Sequence, residues 1–162
     1  MLAFCGQDST TIDANGRIKF NPRALEDYKN NGGYDVVLHC LPEGAIAIYP
    51  EEVYLKMRKS ENGPVKKAAS SMLFRRTMRR FGSFSKSETI SAQGRITIPQ
   101  AYREYAKIEP GDNVIIIGCE IGLEIWNTKL WKHELTKIND HINDKTIKEM
   151  AEDLKLNRDV EG

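Results

Sequence analysis

Ile12-Asp-Ala-Asn-Gly-Arg-Ile-Lys-Phe20 and Ile90-Ser-Ala-Gln-Gly-Arg-Ile-Thr-Ile98 lie over one another at an offset of 78 residues. Self-similarity at a fixed period is the signature of a duplicated structural unit. The match continues at an offset of 77, with Pro22, Ala24 and Tyr28 on Pro99, Ala101 and Tyr105, so that Asn21 is one extra residue in the first copy. Further on, Val36-Val-Leu38 falls on Val114-Ile-Ile116, and Ile46-Ala-Ile-Tyr49 on Leu123-Glu-Ile-Trp126.

Each copy reads as strand, turn, strand, short helix, turn, strand, turn, strand. Asn15-Gly16 and Gln93-Gly94 supply the glycine that a tight first turn requires at positive φ. Asn21-Pro22 places a cap before a proline at the first helical position, and Pro99 is expected to open the second short helix in the same way. Gly32-Gly33 and Pro110-Gly-Asp112 break the chain before β-branched runs such as Val114-Ile-Ile-Ile117, which read as buried strands. A unit of this size buries its apolar face poorly below roughly 60 residues. Two copies are therefore expected to close one small barrel, giving an α+β, β-rich fold. Its segments read as a first repeat over 3–54, a helical basic connector over 55–86, a second repeat over 87–131 and a helical tail over 132–162.

The connector reads as two helices, Pro50 to Ser60 and Val65 to Phe81, separated by the breaker Asn62-Gly63-Pro64. After Trp126, the spacing of Trp131, Leu135, Ile138 and Ile142 predicts another helix. Asn143-Asp144 is expected to interrupt it. Thr146 followed by Glu149 has the capping-box pattern, which predicts a restarted helix ending near Lys155.

At 162 residues, 40% hydrophobic and 29% charged, the composition is that of a folded globular chain and argues against wholesale disorder. No signal peptide and no run of about 18 apolar residues is visible, so a cytoplasmic location without a membrane partner is expected. Cys5, Cys40 and Cys119 are odd in number and lack CxxC spacing, which favours buried thiols over disulfides or a zinc site. His39, His133 and His141 show no HExxH or mixed His/Cys spacing, and Tyr49, Trp126 and Trp131 read as packing anchors. There is no P-loop and no G-x-S-x-G. Enzyme activity, a cofactor, a metal and a small-molecule substrate are accordingly not expected.

The formal net charge is +1, an unfavourable sign for a nucleic-acid binder when taken alone. That average hides a block, because residues 51–82 carry nine Lys/Arg against three Asp/Glu while the remaining segments are slightly acidic.

From Asp13-Ala-Asn-Gly-Arg17 onward the chain resembles the MraZ family, whose signature is a D-x-x-x-R motif once per repeat. The resemblance spans about residues 3 to 135 and includes Ser91-Ala-Gln-Gly-Arg-Ile-Thr-Ile-Pro99, Tyr102-Arg-Glu-Tyr105, Gly111-Asp112 and Leu123-Glu-Ile-Trp126 before Trp131. It implies similarity in fold to AbrB-type swapped-hairpin DNA-binding barrels, and ring-shaped homo-oligomers. It also implies binding of double-stranded DNA at short direct repeats upstream of the family's division and cell-wall operon, with association to the nucleoid. The chain departs from the pattern at Ser91, where the family has aspartate, and at Phe20-Asn21-Pro22, which replaces a compact Ile-Pro. Beyond Trp131 the comparison is loose.

The candidate DNA-binding residues are Asp13, Arg17, Lys19, Arg23, Ser91 and Arg95. An arginine on a β-hairpin can donate two hydrogen bonds to guanine O6 and N7 in the major groove, and Arg17 and Arg95 follow their turn glycines. Asp13 is expected to orient Arg17 through a charge-assisted pair, with Ser91 doing so less well for Arg95. The plainer alternative is an Asp and Arg that only tie one hairpin to its neighbour. Lys19 and Arg23 are candidates for phosphate contacts, or for a solvated face. Lys66-Lys67 and Arg75-Arg-Thr-Met-Arg-Arg80 are more conspicuous, but at about 100° per residue these cations spread around a helix. The competing function is an oligomeric interaction protein of the same fold that has lost tight DNA recognition. An undetected hydrolase using His39 or His133 is a third and remote class.

Overall fold

The computed structural model describes residues 2–62 and 70–161. The first copy contributes β1 (Gln7–Thr11), β2 (Arg17–Lys19), α1 (Pro22–Asn30), β3 (Asp35–Cys40) and β4 (Ile46–Pro50). The connector holds α2 (Glu51–Asn62) and α3 (Met72–Ser83). The second copy repeats the order with β5 (Ser85–Thr89), β6 (Arg95–Thr97), α4 (Gln100–Ala106), β7 (Asn113–Gly118) and β8 (Leu123–Asn127). A long helix, α5 (Thr128–Glu161), follows. The fold is α+β, and the element order of each copy is the one its turn and strand signals predict.

The copies exchange strands. A six-stranded sheet has the order β1-β7-β8-β4-β3-β5, and a separate two-stranded ribbon joins β2 to β6. Every pairing is antiparallel: β1 of the first copy lies against β7 of the second, and β5 of the second against β3 of the first. Among the described residues β1 and β5 end the sheet without pairing to each other, so the hydrogen bonding there does not form the closed barrel expected from the sequence. The physical cause is that β2 and β6 leave the sheet to pair with one another.

Both copies feed one core. Ile12, Ile18, Phe20, Tyr28, Leu38 and Ile48 pack with Ile90, Ile96, Ile98, Val114 and Ile125, all buried in a single cluster. Tyr28 is the polar pin of that core. Its hydroxyl donates to the Ile48 carbonyl at 2.7 Å and accepts from the Leu123 amide at 3.2 Å, and its ring meets Phe4 edge-on at 4.8 Å. Burial drives the Tyr28 phenol well above its ordinary pKa, so it remains a neutral donor.

The helix starts follow expectation at Asn21 and depart from it at Pro99. Asn21 caps α1 as foreseen, its side chain accepting from the Ala24 amide at 2.8 Å with Pro22 at the first helical position. Pro99, however, is itself the cap of α4, with extended backbone and no side-chain bond, because the second copy lacks a counterpart of Asn21. In the connector, the break Gly63-Pro64 and the start of the second expected helix lie outside the described residues. Within them, α3 starts at Met72 with Ser71 as cap, accepting from the Phe74 amide at 3.1 Å.

The expected interruption of the C-terminal helix is also overturned. α5 runs without a break past Asn143-Asp144, and the Thr146 hydroxyl donates back to the Ile142 carbonyl at 3.0 Å instead of capping a new helix. No Gly or Pro lies between Thr128 and Glu161. Asn and Asp cost only tenths of a kcal/mol in a helix, which is less than about 1 kcal/mol for Gly or 3 for Pro.

The cysteines are free thiols, of which Cys40 is buried while Cys5 and Cys119 are half-buried. Tyr49, Trp126 and Trp131 are buried, as packing anchors should be. His39 is buried too, whereas His133 and His141 are exposed.

Candidate nucleic-acid interface

The two quoted stretches form the two turns that lead into the ribbon. In the first, the Asp13 carboxylate organises the loop: Oδ1 accepts from the amides of Asn15 and Arg17, both at 2.9 Å, and Oδ2 accepts from Arg17 Nε at 3.0 Å. The Gly16 amide donates to the Asp13 carbonyl at 3.0 Å with φ at 75°, a conformation glycine adopts without strain. The backbone amide of Arg17 is the main cause that holds the Asp13 carboxyl below its usual pKa, with the Asn15 amide and the Arg17 side chain adding to it against a desolvation cost. The ion pair uses only Arg17 Nε. Its terminal nitrogens remain free of acceptors among the described residues, and those are the two that a bidentate contact to guanine needs.

The second turn repeats the backbone and omits the charge. Gly94 donates to the Ser91 carbonyl at 2.9 Å, and the Ser91 hydroxyl accepts from the Arg95 amide at 3.1 Å. Serine thus replaces one carboxylate oxygen as a turn acceptor. It supplies nothing to the guanidinium, and among the described residues no carboxylate pairs with Arg95.

Pairing of β2 with β6 brings the candidates together. Arg17 lies opposite Thr97, Ile18 opposite Ile96, and Lys19 opposite Arg95. Because successive strand residues point to opposite faces, burial of Ile18 and Ile96 in the core turns Arg17, Lys19, Arg95 and Thr97 outward. Three cations drawn from two copies share one short strip, with Arg17 and Lys19 about 7 Å apart along the strand.

Arg23 is elsewhere. It stands in the first turn of α1 and lines a hollow with Asp8, Asn21 and Asp27, whose carboxylates already accept from the Asn21 side chain and the Phe4 amide.

The basic connector is partly spent on packing. Arg80 donates to the Cys40 carbonyl at 2.7 Å and to the Tyr105 hydroxyl at 3.3 Å, with its guanidinium 4.1 Å from the Phe84 ring centre. Arg58 lies 3.6 Å over the Phe81 ring. Arg76 and Arg79 are exposed, while Lys66 and Lys67 fall outside the described residues. His39 sits among these groups, stacked on Phe81 at 4.9 Å and hydrogen-bonded to the Ser85 hydroxyl at 2.8 Å. Burial, then the nearby Arg80 and Arg58, lower its pKa to about 4.

One residue near the turns carries no local sign of its role. A methyl group built on Gly16 would lie 3.0 Å from both Cζ and Nε of Arg103, so the guanidinium of α4 covers the first turn. Leu25 of α1 covers Gly94 in the same manner. Arg103 belongs to the stretch Tyr102-Arg-Glu-Tyr105, but only the tertiary structure carries it to the ribbon.

Among the described residues no group of three or more His, Cys, Asp or Glu side chains is arranged to hold a metal ion, and no helix is long and apolar enough to cross a membrane.

Comparison with known proteins matches residues 86–153 to the family described as MraZ protein, antitoxin-like. The chain is similar to the transcriptional regulator MraZ of Roseiflexus sp. (strain RS-1), with 31% identity over 137 residues, covering 84% of this chain and 89% of that protein. The transcriptional regulator MraZ of Halothermothrix orenii is 31% identical over 133 residues, or 79% of this chain and 83% of that protein. That of Syntrophomonas wolfei is 30% identical over 152 residues, or 93% and 96%.

Proposed function

The chain belongs to the MraZ family, and from that premise we propose that it is a transcriptional regulator that reads double-stranded DNA with the β2–β6 ribbon. The observation that carries this reading is the strip of Arg17, Lys19 and Arg95 on the outward face of a two-stranded ribbon whose inner face is buried. A two-stranded β-ribbon fits the major groove. Arg17, with Nε fixed by Asp13 and both terminal nitrogens free, is the base-reading residue, and Arg95 is its less constrained counterpart. Lys19 supplies phosphate affinity, and Arg23, on the first turn of α1 and apart from the strip, is a further phosphate contact.

The target that the family resemblance suggests is a set of direct repeats upstream of the division and cell-wall operon, repressed by occupation of the promoter. The protein acts in the cytoplasm on the nucleoid as a ring-shaped homo-oligomer. Several ribbons on one ring raise the effective concentration at neighbouring repeats, which offsets the near-neutral net charge. Apolar side chains exposed along α5, including Ile142, Ile147, Met150 and Leu154, are consistent with self-association.

The test is fluorescence anisotropy with duplex DNA from upstream of the protein's own gene and with a scrambled duplex, at two salt concentrations. Salt-sensitive preference for the native duplex is expected, with Arg17→Ala losing about 1 to 3 kcal/mol of discrimination. Equal weak binding to both duplexes, unchanged by Arg17→Ala and Arg95→Ala, would favour an oligomeric interaction protein instead.

A further inference from the structure

Each ribbon turn is covered by a side chain from the helix of the other copy, and the two covers differ in charge. Leu25 lies over Gly94 and Arg103 over Gly16. Arg103 Nε is buried without a hydrogen-bond partner. Among the described residues, no carboxylate lies within ion-pair distance of the guanidinium, although Glu104 and Glu109 line the same hollow. Of its three nitrogens, only Nε is sealed from solvent without an acceptor, so the terminal pair is available from outside.

A guanidinium presents five donors in a rigid fork suited to phosphate. Burying part of it without an acceptor carries a cost, and an anion bound at the open terminal pair would offset that cost through charge-assisted bonds. The group lies one residue from Arg17, against the glycine that lets the reading turn form. We propose that Arg103 is a phosphate-contacting residue of the DNA interface, contributed by α4 to the first turn alone. This rests on the DNA-binding reading above. The first turn then engages DNA with Asp13, Arg17 and Arg103, while the second offers Ser91, Arg95 and the uncharged Leu25. The ribbon is symmetric in backbone and unequal in charge, with the stronger hold on the strand nearest Gly16.

The experiment is the salt dependence of binding to native and scrambled duplexes for wild type, Arg103→Met and Arg103→Lys, with thermal unfolding as a check on folding. Arg103→Met keeps an aliphatic stem over Gly16 and removes the charge. It should weaken both duplexes alike, leave their ratio unchanged, and lower the slope of log K against log salt by about 0.9 per engaged protomer. Arg103→Lys should keep the wild-type slope, and it decides the matter if Arg103→Met fails to fold. A wild-type slope in Arg103→Met, or a lost slope in Arg103→Lys, would overturn the proposal and leave Arg103 a packing residue. Absence of salt-dependent binding by the wild-type protein would overturn the DNA-binding reading itself, and this inference with it.

Discussion

Lys19 of the first copy lies directly opposite Arg95 of the second across the β2–β6 ribbon. Like charges placed opposite one another on a sheet are destabilising by a fraction of a kcal/mol. Folding alone gives no reason to keep that pair, whereas a polyanion in contact with the strip does. Lys19→Gln should therefore raise the unfolding free energy by a few tenths of a kcal/mol, and more at low salt, where screening is weak. The same variant should bind both native and scrambled duplexes more weakly, with a slope in log salt smaller by about 0.9. Urea titration and anisotropy on one preparation check both halves, and unchanged affinity would remove Lys19 from the interface.

The two turns differ by one carboxylate, which makes an exchange informative. Asp13→Asn retains an oxygen for the Asn15 and Arg17 amides but removes the ion pair to Arg17 Nε. It should keep the fold and reduce preference for the native duplex severalfold. Ser91→Asp adds the missing carboxylate beside Arg95 and should sharpen that preference. Equal discrimination in all three proteins would confine Asp13 to a structural part.

His39 makes stability depend on pH. Its folded-state pKa, about 4, lies below the ordinary 6.5, because burial and the Arg80 and Arg58 charges disfavour the imidazolium. On acidification the unfolded chain takes up its proton first. The contribution from neutral His39 is thus complete above pH 6.5 and is lost as the pH falls through about 4, with a span on the order of 3 kcal/mol. His39→Gln should flatten urea-unfolding free energies across that window. A slope unchanged by the substitution would place the acid sensitivity on other groups.

Tyr28→Phe isolates the polar pin of the core. The ring remains and the hydroxyl is removed, leaving the Ile48 carbonyl and the Leu123 amide without this partner. A loss of about 1 to 3 kcal/mol is expected, the cost of unsatisfied buried groups, with DNA preference retained by the folded fraction. Measured stability within 0.5 kcal/mol of wild type, a change typical of surface substitutions, would mean that these groups find other partners.

Local chemistry made the duplication, the two turns, the capped α1 and the Asp13–Arg17 pair legible in the sequence. A glycine at positive φ and a carboxylate four residues before an arginine act within a few residues. The same local reading overcalled Thr146: a capping-box pattern describes what a helix start looks like, but without Gly or Pro nothing compelled one, and α5 continued. Asn21 and its missing counterpart likewise explain why Pro22 and Pro99 occupy different positions at their helix starts.

The sequence by itself determined that two copies of one β-rich unit must share a core, because each is too small to bury its own apolar face. It also determined which residues carry charge at the turns. Only the tertiary structure decided that β1 and β5 cross to the opposite copy, that β2 and β6 leave the sheet, and that Lys19 thereby meets Arg95. It alone placed Arg103 on Gly16 and spent Arg80 on Tyr105 and the Cys40 carbonyl. Strand partners and helix packing are chosen by burial summed over the whole chain, a competition that no short stretch of residues can express.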